Sequence, residues 1–489
     1  MNISQINSLI KVALLIFTGF VIIPQNSVAQ LTPPEFNFET YGVVSSSGAT
    51  PFWLQSNRYG MFAPDGSHIL TRFQAHGLGY FGGSDSDRFT LRYGVDLIAR
   101  PGSSSTLSFN QGYLRMDAWG LFLQAGRFHN TSPIHDEELG MGSLGISNNA
   151  APIPQLRVGL TNWTSLPLTR DFVQIKGYIA HGWLGSRRIT DNVLLHEKVG
   201  HARFGGDFPL NIYGGLAHYV LWGGKNHPDH GDIPAGISEY FNAFFATKAG
   251  DDSPPQFQAY MYGDHIGAWD FGFFMEFEDV DIKVYRQFPL ETKDNLKFKS
   301  LQDALTGVNF QFNESFTLPI NALTYEFLYT KYQDGPRVPE PEGLRDTHRG
   351  NENYYNHGLY RTGWVYNSRT IGNALFIPSS DPNIGVFNNR IVAHHLGVSF
   401  SLMRNISLST KTTFSRNYGK RWDNRIPDDE EKIGLFDPYI IQWSFFAGLE
   451  TPLNWSGNTI TILTEAGFDN GALVGDQFGI LVGIRWIPR

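Results

Sequence analysis

Segments of about ten residues recur along this chain in which every second residue is apolar or aromatic and the residues between are small, polar or charged. In the last copy, one face reads Phe478, Ile480, Val482, Ile484 and Trp486, and the other reads Gly479, Leu481, Gly483 and Arg485. A strand turns successive side chains to opposite faces, so the pattern places one face in an apolar medium and the other in a wetter one. Residues 89–99 repeat it, with Phe89, Leu91, Tyr93, Val95, Leu97 and Ala99 against Thr90, Arg92, Gly94, Asp96 and Ile98. Residues 269–277 repeat it again, with Trp269, Phe271, Phe273, Met275 and Phe277 against Asp270, Gly272, Phe274 and Glu276. A soluble sandwich and a membrane barrel both satisfy this alternation.

The N-terminus discriminates between them. Val12–Ile23 is an uncharged stretch preceded by Lys11 and followed by Pro24 and Ser27-Val28-Ala29, which reads as a secretory signal peptide, residues 1–29, cut after Ala29. No later run is long and apolar enough for a spanning helix, so the mature chain, 30–489, is read as one unit. It carries 0 cysteines, and an exported chain without disulfides needs another source of stability, which a closed sheet provides.

Walking back from the C-terminus, candidate strands run from 475–486 up to 37–47 and include 239–248 and 256–262. Short connections fall at Met403-Arg404, Asn313–Pro319, Asp207–Leu210 and Gly82–Asp87, and long ones at 129–153, 223–238, 288–303, 333–389 and 419–437. That alternation is expected of an antiparallel transmembrane β-barrel with short turns at one end and long extracellular loops at the other, of about 16 to 20 strands. Composition agrees. Aromatic residues make up 14%, Gly numbers 52 and charged residues are only 17%, which suits interfacial girdles and strands that bend around a closed surface. The net charge of −8 argues against nucleic acid as a partner.

Catalytic motifs are weak. Gly140-Met141-Gly142-Ser143-Leu144-Gly145 matches a phosphate-cradling pattern but follows the acidic stretch His135–Glu138 and opens no helix. His196, Glu197 and His201 have the wrong spacing for two zinc ligands on one helical face, and the segment runs into a strand. His227, His230 and Asp232 sit together in a loop where a metal or plain solvation would each account for them. Asp428, Asp429, Glu430 and Glu431 read as a solvated loop tip, and no G-x-S-x-G elbow occurs. Neither an enzyme nor a bound cofactor is expected.

Two loop segments carry more. Gly142–Pro154 reads GSLGISNNAAPIP, small and amide residues with little charge. Asn351–Gly372, inside the longest connection, interleaves Tyr354, Tyr355, Tyr360, Trp364 and Tyr366 with Asn353, Asn356, His357, Arg361 and Arg369. Aromatic faces cover the C–H face of a pyranose, while amides and guanidinium groups bind hydroxyls and carboxylates, so the mix suits a sugar. The same residues also suit a self-packed lid folded into the barrel mouth, and the two readings are compatible.

In these segments the chain resembles the Wzi capsule assembly family. Gly142-Ser143-Leu144, Ser147-Asn148-Asn149-Ala150 and Pro152 match its G-S-L-x-x-S-N-N-A-x-P block, and Tyr354-Tyr355-Asn356, Tyr360-Arg361, Tyr366, Arg369 and Gly372 match its tyrosine- and arginine-rich loop. The similarity runs over nearly all of 40–489. The resemblance implies an outer-membrane barrel of 18 strands with lectin-like outer loops that bind capsular or other surface polysaccharide. Gln30–Glu39 is too short to hold the periplasmic helical bundle of enterobacterial members.

The reading is therefore a barrel in the outer membrane, in contact with its lipid and inserted by the barrel-assembly machinery. Its candidate carbohydrate contacts are Asn148, Asn149, Tyr354, Tyr355, Asn356, Tyr360, Arg361, Trp364, Tyr366 and Arg369. The alternative is a channel for a sugar or other small solute, lined by Arg92, Asp96, Lys176 and Glu326 on the inward faces.

Overall fold

The computed structural model describes residues 29–82, 89–101, 107–130, 132, 134–291, 301–313, 316–333, 352–403, 405–420, 435–455 and 457–488. Most of the expected signal peptide, residues 83–88 with most of the expected short connection Gly82–Asp87, Arg404, and Asp428–Glu431 lie outside the described residues.

Alternation becomes a barrel. The first nine strands are β1 Glu35–Ser45, β2 His68–Phe81, β3 Phe89–Ala99, β4 Leu107–Ala118, β5 Leu121–Arg127, β6 Pro154–Leu160, β7 Val173–Trp183, β8 Leu194–Phe204 and β9 Leu210–Trp222. The remaining nine are β10 Asp264–Glu276, β11 Val280–Pro289, β12 Ala304–Phe312, β13 Ile320–Tyr329, β14 Ile391–Met403, β15 Ile406–Gly419, β16 Leu435–Trp455, β17 Asn458–Gly471 and β18 Gln477–Ile487. Each pairs antiparallel with the next, and β18 returns to β1 with Val482 opposite Gly42, so the 18-stranded sheet is closed and has no free edge.

The facing read from the alternation holds. Phe478, Ile480, Val482, Ile484 and Trp486 are exposed on the outer wall, while Leu481 is 0% exposed inside. At the turn end, Phe38 stacks on Trp486 with ring centroids 5.4 Å apart, part of an aromatic girdle. On the inner wall, a chain of charges crosses the closing seam. Arg485 of β18 donates to Glu39 of β1 at 2.9 Å, and Arg72 of β2 reaches Glu39 at 3.2 Å and Asp96 of β3 at 2.7 Å. Buried charges are tolerated only when paired in this way.

Two of the expected strands are helices. Residues 239–248 fall mostly in α2, Ile237–Phe245, and 256–262 overlap α3, Pro255–Ala259. The physical reason lies in the period. Ile237, Tyr240, Phe241, Phe244 and Phe245 recur at spacings of three and four, which gathers them along a helix. Pro254 and Pro255 have no N–H for a strand ladder, while a proline fits the first turn of a helix. The connection between β9 and β10 is correspondingly long.

All the long connections leave one end of the barrel. Three of them supply segments that turn inward: 52–62, including α1 Phe52–Gln55, 134–150, and 352–390. Together they occupy the lumen at the loop end.

Candidate functional site

The inward segments reach side chains around the inner wall. Trp53 Nε1 donates to Thr413 Oγ1 of β15 at 3.0 Å, and Phe52 N donates to Asp469 Oδ2 of β17 at 2.7 Å. Arg58 pairs with Glu465 of β17 at 2.7 Å. From the second segment, Met141 N donates to Glu326 Oε2 of β13 at 2.6 Å, and Leu144 N donates to Gln287 Oε1 of β11 at 3.1 Å. Asp136 accepts from Asn309 of β12 at 2.8 Å and Thr324 of β13 at 2.9 Å. These inner-wall partners span β11 to β17, so the segments sit within the lumen.

The two sequence blocks are thereby brought together. Trp364 Nε1 donates to Gly145 O at 2.8 Å, Ser147 Oγ to Gly372 O at 2.6 Å and Asn373 Nδ2 to Gly142 O at 2.5 Å. Asn149 Nδ2 donates to Thr370 O and Oγ1, each at 3.0 Å, while its Oδ1 accepts from Asn57 N at 3.3 Å. Asn148 Nδ2 donates to Glu137 O at 2.8 Å. Irregular backbone in a dry interior must find such partners for its N–H and C=O groups, which is why amides and small residues fill the 142–154 block.

Each tyrosine of the second block ties the cap to something. Tyr354 donates to Asp303 Oδ2 at 2.8 Å, Tyr355 to Leu144 O, and Tyr360 to Gly223 O at 3.0 Å, while Tyr366 accepts from Arg127 at 3.2 Å. Asn356 clamps Val386, donating to its O at 2.9 Å and accepting from its N at 2.8 Å. Arg369 donates to Phe62 O at 2.8 Å and Gln55 Oε1 at 2.9 Å. Burial pulls the Arg369 guanidinium down to about 10, so it remains a cation at neutral pH. Asp303 is buried too, which pushes its carboxyl up to about 6 although Tyr354 and two backbone N–H groups donate to it.

Burial decides what these residues can touch. Trp364 is 0% exposed, and Tyr354, Tyr355, Tyr360, Tyr366, Asn148 and Asn149 are also buried, so their ring faces and amides are covered by protein. Arg361 differs: its side chain is 35% exposed and pairs with the still more exposed Asp229 at the outer rim. His227 uses both ring nitrogens within the loops, accepting from Asp229 N at 3.1 Å and donating to Leu359 O at 3.1 Å. Among the described residues, no group of three or more His, Asp or Glu side chains is placed to hold a metal. Glu197 and His201 point into the lumen while His196 points outward from the same strand, so the three do not converge.

Of the inward-facing set, Glu326 is held by Met141 N, the Tyr285 hydroxyl and His135, and Asp96 is held by Arg72. Arg92, nearer the turn end, pairs with Asp117 at 2.7 Å and stays 46% exposed, so the lower lumen is solvated and charged beneath the cap. Segment 52–62 carries no expected role in the sequence. Its signal is the run Phe52-Trp53-Leu54 between two strands, too apolar for an exposed loop and therefore directed inward.

This architecture has counterparts among known proteins. Wzi of Escherichia coli, described as a carbohydrate-binding β-barrel of the outer membrane involved in group 1 capsule assembly, aligns with a TM-score of 0.55 at 14% identity over 92% of this chain and 83% of its own. OccK3 (OpdO) and OccK2 (OpdF) of Pseudomonas aeruginosa each align with a TM-score of 0.47, at 10% and 8% identity, over 97% and 95% of this chain and 99% and 97% of theirs. No curated protein matches. The family model for the capsule assembly protein Wzi matches residues 56–387, a span that holds both interlocked blocks of the cap. With the barrel, the cap and that match in agreement, the chain belongs to the Wzi capsule assembly family of outer-membrane β-barrels.

Proposed function

We propose that this chain is a non-enzymatic outer-membrane barrel that binds surface polysaccharide through its extracellular loops and so assists capsule assembly or attachment. Export by a leader spanning 1–29 and insertion by the barrel-assembly machinery belong to the same proposal. Family membership supports it, as does the carbohydrate binding described for Wzi of Escherichia coli. The observation that carries it is the interlocked cap: segments 134–150 and 352–390 fill the mouth of the lumen, and Arg361, Asp229, Lys225 and Asn226 are left on its outer rim. A polymer arriving from outside meets that rim before it meets the lumen.

In this reading the ten candidate residues divide by their hydrogen-bond partners. Asn148, Asn149, Tyr354, Tyr355, Asn356, Tyr360, Trp364, Tyr366 and Arg369 form the frame that holds the rim in shape. Arg361 offers its guanidinium to hydroxyls or a uronic carboxylate, with Lys225, Asn226 and His230 exposed on the neighbouring loop.

An exposed ion pair is worth about 0–1 kcal/mol, so Arg361→Ala removes a sugar contact with little effect on the cap. The expected outcome is weaker retention of polysaccharide on intact cells and weaker binding of purified polysaccharide, with unchanged protease resistance of 352–390. Unchanged polysaccharide binding by Arg361→Ala rejects this rim. A large steady conductance in planar bilayers would instead favour the channel.

A further inference from the structure

The outer wall of β7 to β10 is unlike the rest of the barrel. His181, His196, Val220 and His265 lie in one row across the four strands, and Ile179, Lys198, His218 and Gly267 form the next row toward the turn end. All occupy the outward positions, opposite in phase to the inward Glu197, Tyr219 and Asp270. Imidazoles and an ammonium facing hydrocarbon are costly. Here they are covered.

Helix α2 lies over them, outside the barrel. Its Tyr240 ring meets His196 at 5.4 Å, Trp222 at 5.7 Å and His181 at 6.3 Å, and Phe244 meets His196 at 5.0 Å. Lys198 donates to Phe244 O, placing a cation on the carbonyl end of the helix, where the backbone dipole favours it. At the other end, Glu239 accepts from Gly236 N at 3.0 Å. The side turned away from the barrel carries Ile237, Phe241 and Phe245, one helical turn apart, with exposures of 79%, 51% and 64%. A helix satisfies its own backbone hydrogen bonds, so this segment of the loop is able to lie against lipid.

Below the helix, toward the turn end, the wall is dented. Gly177, Gly200, Leu216 and Trp269 form one cross-strand row, and Gly214 beside Phe271 belongs to the next. The missing side chains leave a groove of about 590 Å³, floored by the glycines and walled by Leu216, Trp269 and Phe271. A Cβ built on Gly200 meets nothing within 4 Å, so the floor is open at that glycine.

We propose that this wall is a lipid-binding site: an acyl chain of a membrane lipid lies in the Gly177–Gly200–Gly214 groove, and α2 lies in the interface above it with Ile237, Phe241 and Phe245 among the neighbouring chains. The occupant follows from continuity, since groove and helix interrupt the same outer wall that meets the bilayer in an outer-membrane barrel. A second copy of the chain fits less well. Three side chains on a nine-residue helix fall far short of the roughly 800 Å² per partner of a stable interface.

The chain has 0 cysteines, so single nitroxide labels can be placed in the full protein in vesicles of phosphatidylethanolamine and phosphatidylglycerol. A label at Phe241→Cys is expected to collide with oxygen and be shielded from a water-soluble nickel chelate, as a label at Val482→Cys on the lipid face is. Chelate access equal to that of a label at Asn226→Cys overturns the helix placement, and label–label broadening overturns it in favour of a second copy. For the groove, Gly200→Leu fills the floor. With heat-modifiable barrel retained, it is expected to lose the motionally restricted signal of a doxyl-labelled phosphatidylglycerol added to the same vesicles, whereas Val482→Leu keeps it. An unchanged signal in Gly200→Leu overturns the groove as a lipid site.

Discussion

The β13–β14 and β9–β10 connections leave the same end of the barrel and fold in opposite directions. Residues 352–390 turn into the lumen as irregular chain, whereas 237–245 turn outward as a helix. Inside, backbone groups are met by side chains: Asn149 serves Thr370 and Asn57, Asn356 serves Val386, and Tyr355 serves Leu144. Outside, the contacts are rings on rings, and a single ammonium serves the helix end. The contrast follows from backbone satisfaction. Irregular chain is stable only where polar partners surround it, whereas a helix carries the internal hydrogen bonds that let a loop segment outside the closed sheet face an apolar medium.

The sharpest way to break this contrast is to remove a cap ring. Trp364 is fully buried and donates to Gly145, so Trp364→Ala is expected to cost the cap about 3–5 kcal/mol, seen as rapid proteolysis within 352–390 while heat-modifiability of the barrel persists. Unchanged proteolysis would mean that the cap does not depend on its central ring.

A charge on the outer wall tests the other medium. Val482→Arg is expected to cost roughly 2–4 kcal/mol near the bilayer midplane and to reduce membrane-integrated, heat-modifiable protein. Wild-type yield would contradict the outward facing of β18. Leu481, on the opposite face of the same strand, is packed within the apolar cluster at the loop end, so its neighbourhood is dry as well.

The smallest expected effect is a pH dependence of the cap. His357 Nδ1 accepts from Leu359 N at 3.2 Å and Tyr360 N at 3.3 Å, so a proton there displaces both donors. Burial lowers its pKa from 6.5 to about 4. Because the folded value is the lower one, His357 contributes its full share to stability above pH 6.5 and loses it as the pH falls toward 4. Protease resistance of the cap should fall over that range in the wild type and fall less in His357→Gln, which cannot titrate. Parallel profiles would assign the pH dependence to other groups.

Much of this molecule is written in short-range pattern. The period-two alternation of 478–486, 89–99 and 269–277 determined which side chains face lipid, because a strand offers only two faces and one of them was consistently apolar. Asn148, Asn149 and the tyrosines of 351–372 were marked as special by composition. The alternation did not reveal that 239–248 and 256–262 are helical, since short aromatic runs satisfy both periods; a self-satisfied backbone suits 239–248 to the outer wall, while Pro254 and Pro255 open the short helix at 256–262, whose Phe257 packs against His357 and Tyr360 of the cap. Nor could composition tell a sugar platform from a cap core. That choice depends on whether the faces of Tyr360 and Trp364 are open, which was decided when segments far apart in sequence met: the Tyr219 ring against Trp364, the Phe257 and His357 rings against Tyr360, and the Phe62 and Gln55 oxygens on Arg369. Local sequence sets the orientation of a side chain on its own element, but its burial depends on what other elements bring to it.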